Sequence, residues 1–211
     1  PLQLLGSQND MATIRLDKQY DMLMKAANEH AYMSIAINSD GTPVRRTFIP
    51  WERTVSAFNM KKPIITLAVA DLQDKDIMNA LKKCALEGCY IYTALADYSF
   101  IADFIELKDL YILHGEHMSD LSFIRHLSKL FMFYLEDATL PDLNPLIDNC
   151  NENKVLLGRC FGFYNCTVVD TSALAKIKFM LSELLVWPAK GDSIGRWRPS
   201  DYFTIFRFYK N

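Results

Sequence analysis

Between Ala85 and Cys150 the chain repeats itself, and this periodicity limits its architecture more than any other feature. Ala85–Glu106, Leu107–Ser128 and Lys129–Cys150 are each 22 residues long. Superposed, they align Cys89 with Tyr111 and Phe133, and Ile91 with Leu113 and Leu135. Ala96, Met118 and Leu140 coincide further on, followed by Ile101, Phe123 and Pro145. The frame reaches back to Leu67 and Val69 and, after one longer step, forward to Phe161 and Phe163. The additional chain of that step falls in the polar run Asn149–Lys154, which suits a bulged loop. One more regular step brings Leu185 and Trp187 close to register. Alternating apolar positions predict a short strand, and apolar residues three or four apart after it predict a helical or 3-10 turn. A unit this small cannot bury its apolar face alone, so successive units must stack.

An aspartate recurs in the same frame at Asp76, Asp120, Asp142, Asp170 and Asp192, with Tyr98 in its place in one unit. Each unit needs a cap for the N–H groups that open its turn, so capping explains the series better than catalysis. The strand cores Leu110-Tyr-Ile-Leu, Leu130-Phe-Met-Phe-Tyr-Leu and Cys160-Phe-Gly-Phe-Tyr-Asn-Cys resemble those of leucine-rich repeat proteins, the internalin-like 22-residue type most. The loop blocks Met118-Ser-Asp-Leu, Leu140-Pro-Asp-Leu and Val168-Val-Asp-Thr carry the same resemblance, which covers Pro63–Trp197. It implies an α/β fold: a leucine-rich-repeat solenoid with a short curved parallel sheet and short helices or 3-10 turns. In this chain aromatics often replace leucine, and the asparagine of the strand exit is matched only loosely, as at Asn165. The rival architecture is an open α/β sheet of βα units, although the segments between strands are short for crossover helices.

Residues 11–62 do not fit the repeat and read as a small α/β N-terminal cap. Asp17 is the expected N-cap of a helix over Lys18–His30, with Tyr20, Leu23, Met24 and Ala27 at helical spacing. A strand follows from Met33, a turn at Asn38–Pro43, and a second strand over Val44–Ile49. Pro1–Asp10 precede Met11 and read as a cloning remnant or a disordered leader. The array proper is assigned to residues 63–211. Its end, Tyr202-Phe-Thr-Ile-Phe-Arg-Phe-Tyr, is expected to seal the core as a last strand and C-terminal cap.

In a stacked array, alternate strand residues face outward on the concave side. The repeat frame places Tyr90, Tyr92, Ile112, His114, Tyr134, Glu136 and Tyr164 there. Tyrosine offers large contact area at low entropy cost and a hydroxyl for hydrogen bonding. The expected function is therefore a non-enzymatic scaffold that binds a protein partner on this face, with no cofactor. The same tyrosines could instead stack on one another for stability alone. The alternative is a small-molecule enzyme or sensor on an open sheet, with a pocket at the strand C-termini near His114, Glu136, Asn165 and Cys166.

Composition and motifs bound the remaining options. Half of the residues are apolar, 23% are charged and the net charge is −2, so a sizeable core is possible and no basic stripe suggests nucleic acid. Arg45-Arg46 and Arg196-Trp-Arg198 are short clusters. The five cysteines form no CxxC pair, and the four histidines stand apart from them, which argues for free thiols, a cytoplasmic location and no metal. A native leader absent from this sequence would change the expected location. Cys166 is the best candidate for an exposed thiol. No run is apolar enough for a membrane span, and GxGxxG, P-loop, HExxH and GxSxG patterns are absent.

Overall fold

The strands of this chain are short and predominantly apolar, as expected where both faces of a parallel sheet are covered. The computed structural model describes residues 18–42, 64–153, 160–170, 172–176 and 183–187. The expected cap at Asp17, the strand at Val44–Ile49, and the segments 1–10 and 188–211 lie outside the described residues. The protein is α/β with parallel strand pairing. It divides into two compact units, residues 1–86 and 87–211.

In the first unit, helix α1 (18–29) presents Leu23, Ala26 and Ala27 on one buried stripe, the spacing of a helix with one covered face. Strand β1 (Tyr32–Asn38) is buried from Met33 to Ile37 and pairs in parallel with β2 (Ile64–Ala68), Ile35 beside Ile65 and Ile37 beside Leu67. The turn after β1 is made by Asn38, whose side-chain carbonyl oxygen accepts from Gly41 N–H at 2.6 Å. Gly41 sits at φ +73, where a side chain would be strained. Helix α2 (Lys75–Lys83) is capped by Asp74, whose carboxylate accepts from Asp76 and Ile77 N–H at 2.8 and 3.2 Å. The cap is thus Asp74, and Asp76 lies inside the helix.

In the second unit, strands β3 (Ala85–Ile91), β4 (Asp109–Ile112), β5 (Met132–Glu136), β7 (Cys160–Tyr164) and β9 (Glu183–Trp187) pair in chain order, all parallel. Two further strands, β6 (Thr139–Asp142) and β8 (Thr167–Asp170), form their own parallel pair. Between strands lie 3-10 turns at Ser99–Asp103, Ser122–His126 and Ser172–Lys176, and helix α3 at Asn144–Glu152.

One column of the main sheet is Cys89, Leu110, Phe133 and Phe161, and the next is Ile91, Ile112, Leu135 and Phe163; every member is at most 1% exposed. From the turn side Ile101, Ile124, Leu146 and Ala173 complete this core. Buried Asn149 fastens α3 to the preceding turn, its amide donating to the carbonyls of Ile124 and Leu127 at 2.7 and 3.1 Å.

The observed register corrects the uniform repeat frame. The first column steps unevenly from Cys89 to Leu110 to Phe133, so Leu110 occupies the inward place expected for Tyr111. Ile112, expected on the concave face, is wholly buried in the core column. The aspartates keep their own spacing: Asp97, Asp120, Asp142 and Asp170 each accept from the backbone N–H two residues on, at 2.6–2.8 Å. The unit in which Tyr98 stood in for aspartate is therefore capped by its neighbour Asp97. Tyr98 instead turns inward and is buried.

Candidate functional site

The face of the second unit's sheet opposite the Cys89 column carries a row of tyrosines. Parallel pairing sets Tyr90 beside Tyr111 and Tyr111 beside Tyr134, and the pleat points all three the same way. Tyr90 and Tyr111 stack with ring centroids 5.3 Å apart, and Tyr111 and Tyr134 lie tilted at 6.1 Å. The row ends at Gly162, the partner of Tyr134 on β7. Tyr111 is 6% exposed and its hydroxyl reaches the Met132 sulfur at 3.6 Å; Tyr134 is 8% exposed and donates to Glu136 Oε1 at 2.5 Å. Burial, then the hydrogen bond to Glu136 and that residue's charge, push the Tyr134 hydroxyl well above the usual phenol range. Both middle tyrosines are packing residues.

The remaining expected face residues fall differently. Tyr90, Tyr92, Glu136 and Tyr164 are half-buried, with Glu136 and Tyr164 side by side on β5 and β7. His114 is exposed and lies beyond the end of β4. The fixed frame missed Tyr111 as a face residue because tyrosine is acceptable on either side of a strand.

The rim beyond the strand ends is tightly built. Asp137 and Asn165 follow β5 and β7 and both adopt the left-handed conformation, at φ 56 and 51, which these two residue types tolerate better than most. Asp137 N–H donates to the Tyr164 carbonyl at 3.1 Å, and the Asn165 amide donates to the Asp137 carboxylate. One unit earlier, Gly115 N–H donates to the Glu136 carbonyl at 2.9 Å. A Cβ at Gly115 would meet that oxygen and Leu135 Cδ1, each at 2.8 Å. The Tyr98 hydroxyl donates to the His114 carbonyl at 2.7 Å and accepts from Leu95 N–H at 3.2 Å. His114 Nδ1 stands 3.3 Å from Glu116 Oε1. Hydrogen bonding to its own backbone N–H, opposed by slight burial and aided by His114, holds the Glu116 carboxyl below its ordinary range.

Cys84, Cys89 and Cys166 are free thiols. Cys166 is not the exposed thiol expected. It is partly buried, donates toward the Leu135 and Tyr164 carbonyls at 3.4 and 3.3 Å, and burial pushes its pKa up to about 11. A thiol so placed stays protonated and is a poor nucleophile near neutrality. A cavity of about 320 Å³ opens between the 3-10 turns, lined among others by Asp97, Ser99, His117, Asp120 and His126. Its two carboxylates are already engaged in capping Ser99 and Ser122. No described helix is long and apolar enough to cross a membrane.

The class defined by this architecture is α/β with a parallel sheet. No family model, curated protein or solved structure matches the chain.

Proposed function

We propose that the described strands and turns of the second unit, from β3 to β9, form a leucine-rich-repeat-like coil that serves as a non-enzymatic scaffold, binding a protein partner on its tyrosine-bearing sheet face. The observation that carries this reading is the in-register tyrosine row, flanked by half-buried Tyr90, Tyr92, Glu136 and Tyr164. Buried Tyr111 and Tyr134 stiffen the platform, while the flanking rings present partly exposed area to a partner. Strands that pair in chain order, with turns between them capped by a recurring aspartate, support the repeat reading of the coil. The thiol at Cys166 and the cap-engaged carboxylates of the cavity supply no activated nucleophile, which favours binding over catalysis.

The test is affinity capture with wild type beside the Tyr90→Ala/Tyr164→Ala double variant. Both positions are half-buried, so the variant is expected to stay folded by circular dichroism and to lose the partner. A partner held equally by both proteins would move the binding surface off this face. The sheet-end pocket alternative gains support only if a metabolite stabilises the protein and truncating Glu136 removes that stabilisation.

A further inference from the structure

We propose that His114, Glu116 and Asp137 form a binding site for one divalent cation of the zinc class, at the strand-exit rim of the second unit. One donor atom from each residue lies within 4.8 Å of the other two. His114 Nδ1 and Glu116 Oε1 are 3.3 Å apart. Two ligands on a tetrahedral ion with bonds of about 2.0–2.1 Å stand about 3.3 Å from each other, so this pair already has the spacing of a shared ion. His114 and Glu116 are exposed side chains, and modest rotations bring the third donor into range.

The backbone beneath the donors is fixed on every side. Tyr98 holds the His114 carbonyl, Gly115 is pinned to Glu136 with no room for a side chain, and Asp137 is tied to Tyr164. The Asn165 amide donates to the Asp137 carboxylate, the outer-sphere contact that orients a metal-binding carboxylate. Two carboxylates here share one imidazole. The ion pairs Lys108–Glu87, Arg125–Asp148 and Lys129–Glu106 involve other carboxylates.

One imidazole with two carboxylates suits Zn²⁺, Co²⁺ or Mn²⁺, whereas Ca²⁺ and Mg²⁺ take oxygen donors alone. Three protein donors leave a coordination position for water or for a partner's side chain. The site escapes a search for paired ligands in sequence because Asp137 comes from the next unit and is brought in by stacking. This proposal does not rest on the partner-binding reading.

The experiment uses the full chain freed of metal with a chelator, titrated with Zn²⁺ by calorimetry and with Co²⁺ by visible absorption. Wild type should bind one equivalent, with no comparable binding of Mg²⁺ or Ca²⁺. Glu116→Gln, on an exposed side chain, and Asp137→Asn, which keeps a residue tolerant of the left-handed backbone, should each weaken binding at least about tenfold. Asn165→Ala should weaken it about tenfold as well, by freeing the Asp137 carboxylate. His126→Asn, a change at another exposed histidine, should leave binding as in wild type. Failure of wild type to take up stoichiometric Zn²⁺ overturns the site, and so does unaltered binding by both Glu116→Gln and Asp137→Asn.

Discussion

Two stretches of the second unit solve the same problem with different amounts of chain. From β3 to β5 the strands recur at close intervals, and short 3-10 turns fill the space between them. From β5 to β7 the interval is longer, and the chain inserts strand β6 and the full helix α3. The sheet does not register the difference. Phe133 meets Phe161 as directly as Leu110 meets Phe133, and Leu135 meets Phe163 as Ile112 meets Leu135. Among the described residues the additional chain forms β6 and α3, and Asn149 of α3 donates to two carbonyls of the shorter neighbouring turn. The strand side sets the spacing of the units, and the turn side tolerates length so long as its polar groups find partners.

That division can be tested by substitution. Phe133 belongs to both stretches, packs edge-to-face with Phe163 at 5.8 Å and is 1% exposed. Phe133→Ala should therefore cost the most, about 3–5 kcal/mol in urea unfolding. A loss below about 1 kcal/mol would mean that the sheet columns do not dominate. Gly115→Ala probes the tight stretch, where backbone oxygen blocks the new methyl group, and should cost about 1–3 kcal/mol. Asn149→Ala removes two buried hydrogen bonds of the longer stretch while the Ile124 and Leu127 carbonyls keep the Leu127 and Leu130 N–H groups, at about 1–2 kcal/mol. If it behaves like a surface substitution, the expanded turn is not held as described.

The smallest effect belongs to the caps: Asp120→Ala should lose about 0.5–1 kcal/mol. Hydrogen bonds from the Ser122 backbone and then its hydroxyl lower the Asp120 pKa from 3.8, partly offset by burial. A group depressed in the folded state stabilises it above the ordinary aspartate pKa. The contribution fades as pH falls through the folded value, so wild type and Asp120→Ala should converge in stability in acid and diverge at neutral pH.

The strand-and-turn rhythm was legible in the sequence, and so were α1, β1 and the caps Asp120, Asp142 and Asp170, while Asp74 and Asp97 stood outside the expected frame. The register was not. The loop from strand core to cap is two residues shorter after Cys89 than after Leu110, and a uniform step averages this away. Tyr111 and Leu110 are both acceptable inside, so residue type could not expose the slip that sent Ile112 to the core. The burial of Tyr134 was likewise hidden, because Tyr111 packs against it, tilted, from another strand. Of the rim, His114, Glu136, Asn165 and Cys166 were singled out in the sequence, whereas Glu116 and Asp137 gave no signal. His114 and Glu116 are distant in sequence from Asp137 and meet it only when the units stack.

The chain-order pairing of β3, β4, β5, β7 and β9 bears on how this unit acquires its structure. Each strand of that row closes only a single repeat of chain when it docks on the strand before it, so the entropy of closure is divided into small successive steps. Assembly can begin at any neighbouring pair and spread outward, and amide exchange should be slowest in β4, β5 and β7, each paired along both edges.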